Sequence, residues 1–187
     1  TANIRLRSGI LPYENKNIYV HRPDADLWNL STEQVNSVMV SSYPDQDAID
    51  LLTPMRWSEV ERWADKLAGR RGEDYVAYKN EKVEQCLQLV EKRLPALRGA
   101  IDHVYTSSPL TYQLYTRTHE GSAYGIRKDW HSPITTVLTP KTPIENLLLT
   151  GQNLNLHGLL GVSMTSVFTA AEVLGMDTIR EQILNRK

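Results

Sequence analysis

The chain has 187 residues, enough for one large domain or for one and a half small ones. Its hydrophobic fraction of 41% is ordinary for a globular core and too high for a disordered chain. The 21 Lys and Arg residues nearly balance the 22 Asp and Glu residues, so no charge field favours a nucleic acid or an anionic membrane as partner. These values indicate a folded domain whose partners are not selected by net charge.

Cys86 is the only cysteine, which excludes an internal disulfide and fits a reducing compartment. Its helix-spaced apolar neighbours predict an inert core thiol rather than a nucleophile. No signal peptide is recognisable, and the longest apolar run, 154–174, contains Asn155, His157 and Glu172, too polar for a lipid-spanning helix. We therefore expect a cytoplasmic protein that touches membranes at most peripherally.

The first hundred residues predict two strands followed by two helices. The strands are 16–20 and 35–41, the second of which is rich in β-branched residues. Ser58 and Glu61 match a capping box, which predicts a helix over 58–68. Apolar residues at helical spacing predict a second helix over 73–94, interrupted near its end by Pro95.

The second half predicts a strand at 101–106 and a short helix at 110–115, with Ser108 as N-cap and Pro109 at the first helical position. An ordered loop at 119–133 follows. The apolar run 146–150 predicts a strand buried on both faces, and 159–174 predicts a helix that is apolar nearly all round and must be covered. Asp177 is predicted to cap a last helix. The expected fold class is α+β, with a mostly antiparallel sheet from the strands near 18, 38 and 103 and flanking helices within 55–97.

Segment 141–162 combines this buried strand with a glycine turn, a polar loop and the start of the apolar helix. Gly151, Gly158 and Gly161 would allow another group close to the backbone. Free N–H groups at 159–162 favour an anion or a carbonyl oxygen. Many phosphate or nucleotide ligands fit this pattern. A strand-to-helix turn whose glycines serve only packing fits it equally well.

The residues of segment 141–162 resemble the last cofactor-contacting motif of FAD-dependent oxidoreductases in the phytoene desaturase and amine oxidase superfamily. The stretch 107–111, followed by Tyr115, Gly121, Tyr124 and Gly125, resembles the preceding signature of the phytoene desaturase and retinol saturase branch. The specific matches cover about 106–175. No Gly-x-Gly-x-x-Gly follows a strand, although this superfamily binds the ADP half of FAD through that element.

The resemblance therefore implies a chain that opens, on Thr1 rather than Met, after a missing N-terminal FAD-binding half. Residues 1–140 would form the substrate-binding domain. Residues 141–187 would form the C-terminal strand, loop and helix of a Rossmann-like FAD-binding domain. The chain alone would be inactive and would not retain FAD. Its unpartnered strand and helix predict a homodimer or an unusual packing.

The resemblance also implies roles for individual residues. Gly151 would turn the chain beside the cofactor's phosphates, and Gln152 would lie near the ribityl chain, where relatives have an acidic residue. An amide can still bond hydroxyl groups at that position. Gly161 and Val162 would offer N–H groups to the pyrimidine edge of the flavin, and Leu160 belongs to the same cofactor-binding set.

Three further side chains each have two interpretations. His157 would face flavin or substrate as a candidate catalytic residue, or would be a loop histidine bonded to backbone. Tyr112 and Tyr115 would line an apolar substrate pocket, or would only pack a short helix.

The sequence contains no motif of a metal site, a hydrolase or a P-loop protein. The five histidines show no paired metal spacing, so no metal site is predicted. Neither a Gly-x-Ser-x-Gly elbow nor a P-loop is present. The branch implies an FAD-dependent oxidoreductase that adds or removes hydrogen across a carbon–carbon bond of a long apolar, carotenoid- or retinoid-like substrate. The alternatives are an amine-oxidase-like flavoenzyme and a non-enzymatic domain that binds apolar ligands.

Overall fold

The computed structural model describes residues 1–25, 34–44 and 46–185. The chain divides into two compact units, Thr1–Gly121 and Ser122–Lys187. These units follow packing and not function, so the division into a substrate domain and a cofactor segment near residue 140 stays a prediction. No helix among the described residues is long and apolar enough to cross a membrane.

A five-stranded sheet forms the centre of the first unit. Its strands are β1 (Ala2–Leu6), β2 (Ile18–His21), β3 (Ser37–Ser42), β4 (Ala48–Leu52) and β5 (Ile101–Thr106). The spatial order is β2-β3-β4-β1-β5, and every neighbouring pair is antiparallel. The predicted α+β class and antiparallel sheet are confirmed. The sequence interpretation had not included β1 and β4, which supply the middle of the sheet.

The long helix α1 (Glu73–Val90) packs with one face of this sheet in a single apolar cluster. Strand alternation places Ile4, Val38 and Leu51 in that cluster, each at most 1% exposed. Each such side chain contributes about 1.5–3 kcal/mol by leaving water. Cys86 lies in the same cluster, which confirms its predicted place in the core, and burial raises the pKa of its thiol to about 11.

The remaining helices of the first unit are short. They are two 3-10 turns (Trp57–Glu59 and Glu61–Trp63), α2 (Leu97–Ala100), α3 (Pro109–Thr116) and a 3-10 turn at His119–Gly121. The predicted N-cap and proline of α3 are confirmed, since Ser108 Oγ accepts the Leu110 N–H at 3.2 Å. The helix predicted over 73–94 is confirmed but ends at Val90, because the backbone must leave the helical region before Pro95.

The continuous helix predicted over 58–68 is wrong. Glu59, rather than Glu61, closes the turn, because its carboxylate accepts the Arg56 N–H at 2.9 Å. The other carboxylate oxygen of Glu59 binds Lys82 Nζ of α1 at 2.8 Å in a nearly solvent-free pair. Trp63 is buried and donates its ring N–H to Asp74 at 2.7 Å. These tertiary contacts favour two tight turns over one regular helix.

The second unit contains α4 (Pro133–Thr136), α5 (Gly158–Leu174) and α6 (Met176–Leu184). The helix predicted at 159–174 is confirmed. The strand predicted at 146–150 is wrong, since only an isolated bridge between Lys141 and Leu148 forms there. A strand needs a neighbour to pair with, and the described residues of this unit contain no second strand. The N-cap of α6 is Gly175 at φ +83°, and the predicted cap Asp177 lies in the first turn.

The apolar surface of α5 is largely uncovered. Only Gly161 and Thr165 are buried among its residues, whereas Leu159 is 89% exposed. The expectation that this helix is covered on all sides is therefore not met within the described residues. The expected dimer stays a prediction.

Candidate functional site

The face of the sheet that α1 leaves open forms the floor of a cavity of about 550 Å³ in the first unit. Strand register brings Met39 opposite Leu52, and Ser41 opposite Asp50, on this face. Both pairs line the cavity. The floor therefore offers an apolar half beside a polar half.

Helix α3 forms a wall of the same cavity and contributes both predicted substrate residues. Tyr112 holds its hydroxyl 2.7 Å from Thr1 Oγ1, which fixes the ring over the sheet. Tyr115 lies one helical turn further on and is 80% exposed. The structure thus brings the two tyrosines to one cavity, with Tyr112 anchored and Tyr115 at its mouth.

The polar half of the floor is organised around Asp50. Its carboxylate accepts the side-chain amide of Asn3 at 2.6 Å and the hydroxyl of Tyr43. The hydrogen bond to Asp50 raises the pKa of Tyr43, so its phenol stays protonated. Sequence reasoning missed these residues. The alternation of Ile49, Asp50 and Leu51 was the available signal, because it places Asp50 on the face opposite the core.

The position of α3 depends on Gly121. This glycine has φ +64°, and a Cβ there would lie 2.0 Å from the carbonyl oxygen of Pro109 at the start of α3. Any other residue would push the helix away. Ser108, the N-cap of α3, is held from the other side by the hydroxyl of buried Tyr75 at 2.6 Å. The family signature therefore contains residues that position the cavity wall.

The predicted cofactor residues surround the start of α5 in the second unit. His157 is the N-cap and provides no side-chain cap. Helix geometry leaves the N–H groups of Gly158, Leu159 and Leu160 without intrahelical acceptors. The N–H groups of Gly161 and Val162 lie deep enough in the helix to find carbonyl acceptors within it. The resemblance gave the flavin-facing donors to Gly161 and Val162, whereas helix geometry leaves the free donors at Gly158, Leu159 and Leu160.

Glycines open space beside this backbone. Gly151 and Gly158 have φ of +99° and +77°, and no heavy atom lies within 4 Å of a Cβ built on either. Gly161 differs, because its Cβ would lie 2.6 Å from the backbone carbon of Leu156. The first two glycines leave room for a ligand, whereas Gly161 is required by the packing of the loop on the helix.

The two side chains of the loop have different surroundings. The ring of His157 lies 4.7 Å from the ring of Tyr124, centre to centre, and forms no hydrogen bond to the described residues. The alternative of a backbone-bonded histidine is therefore not seen in this part of the chain. Gln152 is half-buried in the turn before it. The roles of both residues stay predictions.

Among the described residues, no group of His, Cys, Asp or Glu could hold a metal ion. The fold is α+β, the first unit has a cavity of small-molecule size on its open sheet face, and the second unit has a helix start without a side-chain cap.

Comparison with known proteins identifies the family. Relatives named all-trans-retinol 13,14-reductase from Macaca fascicularis and Homo sapiens are each 33% identical over 135 residues, which is 71% of the chain and 22% of the relative. A relative of the same name from Danio rerio is 27% identical over 134 residues, 70% of the chain and 22% of the relative. No protein-family model matches, and no solved structure gives a significant match.

The chain belongs to the retinol saturase (all-trans-retinol 13,14-reductase) family. The matched region spans about a fifth of the length of these curated relatives.

Proposed function

We propose that the protein containing this chain is an FAD-dependent oxidoreductase that saturates a carbon–carbon double bond of a long apolar, retinoid-like substrate. The 33% identity to relatives named as retinol reductases carries this proposal. Their name favours saturation over desaturation, which the sequence resemblance alone leaves open. FAD would supply hydride transfer, and the chain would bind, orient and shield the substrate.

The cavity over the sheet supports an apolar substrate with one polar end. Its volume of about 550 Å³ falls within the roughly 300–1,000 Å³ of small-molecule sites. Met39, Leu52 and the ring of Tyr115 would contact a hydrocarbon chain. Asp50 would accept a hydrogen bond from a terminal hydroxyl group. A hydrocarbon without a polar group could not form this bond. This division of the lining fits an alcohol such as retinol better than a pure hydrocarbon.

The start of α5 supports a cofactor with anionic or carbonyl groups. Its free N–H donors at Gly158, Leu159 and Leu160 have no side-chain cap, and Gly151 and Gly158 leave space beside them. A helix end contributes only about 0.3–1 kcal/mol toward a nearby negative charge. Association itself costs roughly 4–15 kcal/mol. We therefore propose that the 187-residue chain alone retains no flavin and that most cofactor contacts lie elsewhere in the full-length protein.

The direct test is to purify the full-length protein and incubate it anaerobically with all-trans-retinol and a chemical reductant. We expect bound flavin and a product heavier by two hydrogen atoms, detected by chromatography with mass spectrometry. Oxidation of an amine in a parallel assay with oxygen as electron acceptor, without reduction of retinol, would favour the amine-oxidase-like alternative. A colourless protein that binds retinol without converting it would favour the non-enzymatic one.

A further inference from the structure

A second cavity, of about 520 Å³, lies in the first unit beside the loop 69–72 that precedes α1. Its charged lining residues are Arg70, Arg71, Lys79 and Glu73, which gives three positive charges against one negative charge. The hydroxyl-bearing Thr111 of α3 also lines it. The proposed reductase function makes no use of these basic residues.

Two of the cations are held by one buried aromatic ring. Tyr75 is 5% exposed, and its hydroxyl lies 2.6 Å from Ser108 Oγ, so its ring is fixed. The guanidinium carbon of Arg71 lies 5.4 Å from the ring centre, and Lys79 Nζ lies 5.0 Å from it. The spacing of four residues places Tyr75 and Lys79 on one side of α1, and Arg71 reaches the same ring from the loop that precedes the helix. Two like charges are thereby kept at the same ring, where they repel each other.

These cations have no acidic partner in the part of the chain that the structure describes. Neither Arg71 nor Lys79 forms an ion pair with any described carboxylate, whereas Lys82 of the same helix pairs with Glu59. The Nε atom of Arg71 is shielded from solvent and has no hydrogen-bond partner among the described residues. A shielded donor of a charged group is unfavourable unless an acceptor reaches it. A small shift of the guanidinium would bring this donor to an anion in the cavity, and the anion would also offset the repulsion between the two cations.

Stacking on an aromatic ring does not by itself indicate a binding site for an anion. Arg62 also stacks, 3.9 Å above the ring of Trp63, but it is exposed and does not line the cavity. The amides at the start of α1 do not form the site either. The carboxylate of Asp74 accepts hydrogen bonds there, including the ring N–H of Trp63. The basic side chains, rather than the helix end, therefore determine which ligand fits.

We propose that this cavity binds a phosphate group, as a phosphate monoester or a diphosphate, through Arg71 and Lys79. The planar guanidinium of Arg71 can donate two hydrogen bonds to phosphate oxygens, and the ammonium group of Lys79 adds a point charge. The phosphate can belong to a small soluble compound or to a lipid headgroup. The two sources share this recognition chemistry, and separate titrations distinguish them.

The test is titration of the full-length protein with inorganic pyrophosphate, with binding measured by calorimetry and by phosphorus NMR. A parallel arm measures binding to phosphatidylcholine vesicles with and without phosphatidic acid. Arg71→Gln and Lys79→Gln remove one cation each, and Arg62→Gln is the matched control because it removes a stacked cation outside the cavity. Thermal unfolding of each variant establishes that it remains folded. If Arg71→Gln unfolds, Lys79→Gln carries the test.

We expect pyrophosphate binding that weakens about tenfold or more in Arg71→Gln or Lys79→Gln, since a hydrogen bond to a charged group is lost. Arg62→Gln should bind as the parent does. Binding only to vesicles with phosphatidic acid, with the same loss in the cavity variants, would assign the phosphate to a lipid headgroup. Absence of binding in both arms, or an equal loss in Arg62→Gln, would overturn the proposal.

Discussion

Replacing Gly161 with alanine should destabilise the start of α5. A Cβ at this position would lie 2.6 Å from both the backbone carbon and the Cβ of Leu156. That is about 1 Å inside the ordinary carbon–carbon contact distance. The backbone carbon cannot rotate out of the way as a flexible side chain can. One turn further along α5, Thr165 is fully buried, which leaves the helix little room to move away from the loop.

Two effects of opposite sign set the magnitude. Alanine is favoured over glycine inside a helix by about 1 kcal/mol. Overpacking of a tight contact costs about 1–3 kcal/mol. Because the contact is with backbone, we expect the upper part of that range and a net loss of about 1–2 kcal/mol. Gly99→Ala is the matched control, since Gly99 lies in α2 and no heavy atom is within 4 Å of its Cβ. That change should leave stability unaltered or raise it by about 0.4–1 kcal/mol.

Urea unfolding followed by circular dichroism measures both variants, and hydrogen exchange of the α5 amides localises the effect. Faster exchange at the start of α5 in Gly161→Ala, with no change there in Gly99→Ala, is the expected result. If Gly161→Ala were as stable as the parent while Gly99→Ala behaved as expected, the close packing of Leu156 on α5 would be refuted. The result also decides how flavin can be tested, because a substitution that unfolds the helix start says nothing about cofactor contact.

Three other changes test separate parts of the account. Leu159→Pro removes a free N–H without breaking a helical hydrogen bond, so flavin affinity of the full-length protein should fall about tenfold relative to Leu159→Ala. Lys82→Met leaves the buried carboxylate of Glu59 without its cation, and urea unfolding should show a loss of about 3–5 kcal/mol. Because burial raises the pKa of Cys86 to about 11, the folded protein should resist alkylation at neutral pH until denaturant is added.

The sequence predicted those elements whose signals are local. The apolar rhythm of α1, the Ser108-Pro109 start of α3 and the apolar length of α5 each lie within one segment, and all three helices form. The predicted 58–68 helix failed because a distant residue, Lys82, binds Glu59 and tightens the turn. Local propensity does not contain that contact.

Strands β1 and β4 show how a readable signal was missed. Ala2, Ile4 and Leu6 alternate with polar residues, and Ile49 and Leu51 do the same on either side of Asp50. Both segments are only five residues long, so the alternation is short. The strand predicted at 146–150 failed for a different reason, since a strand is defined by its pairing partner.

The candidate site was predicted in part. Family residues led to Tyr112 and Tyr115, which the structure brings to one cavity, and to the uncapped start of α5. The polar floor at Asp50 was not predicted, because it requires three strands to be placed side by side. The basic cavity at Arg71 depends on a tertiary contact between α1 and α3, so it could not be predicted from the sequence either.

The measurement that tests the central claim most directly is the affinity of the full-length protein for all-trans-retinol. Binding is measured from the change in fluorescence of the ligand. Tyr115→Ala removes a ring from the cavity mouth, and Tyr19→Ala removes an exposed ring that does not line the cavity. Covering part of this exposed ring is worth less than the roughly 1.5–3 kcal/mol of a fully buried side chain, so Tyr115→Ala should weaken binding by about threefold to tenfold. Tyr19→Ala should bind as the parent does. Equal affinity of the parent and Tyr115→Ala would contradict the assignment of this cavity to the apolar substrate.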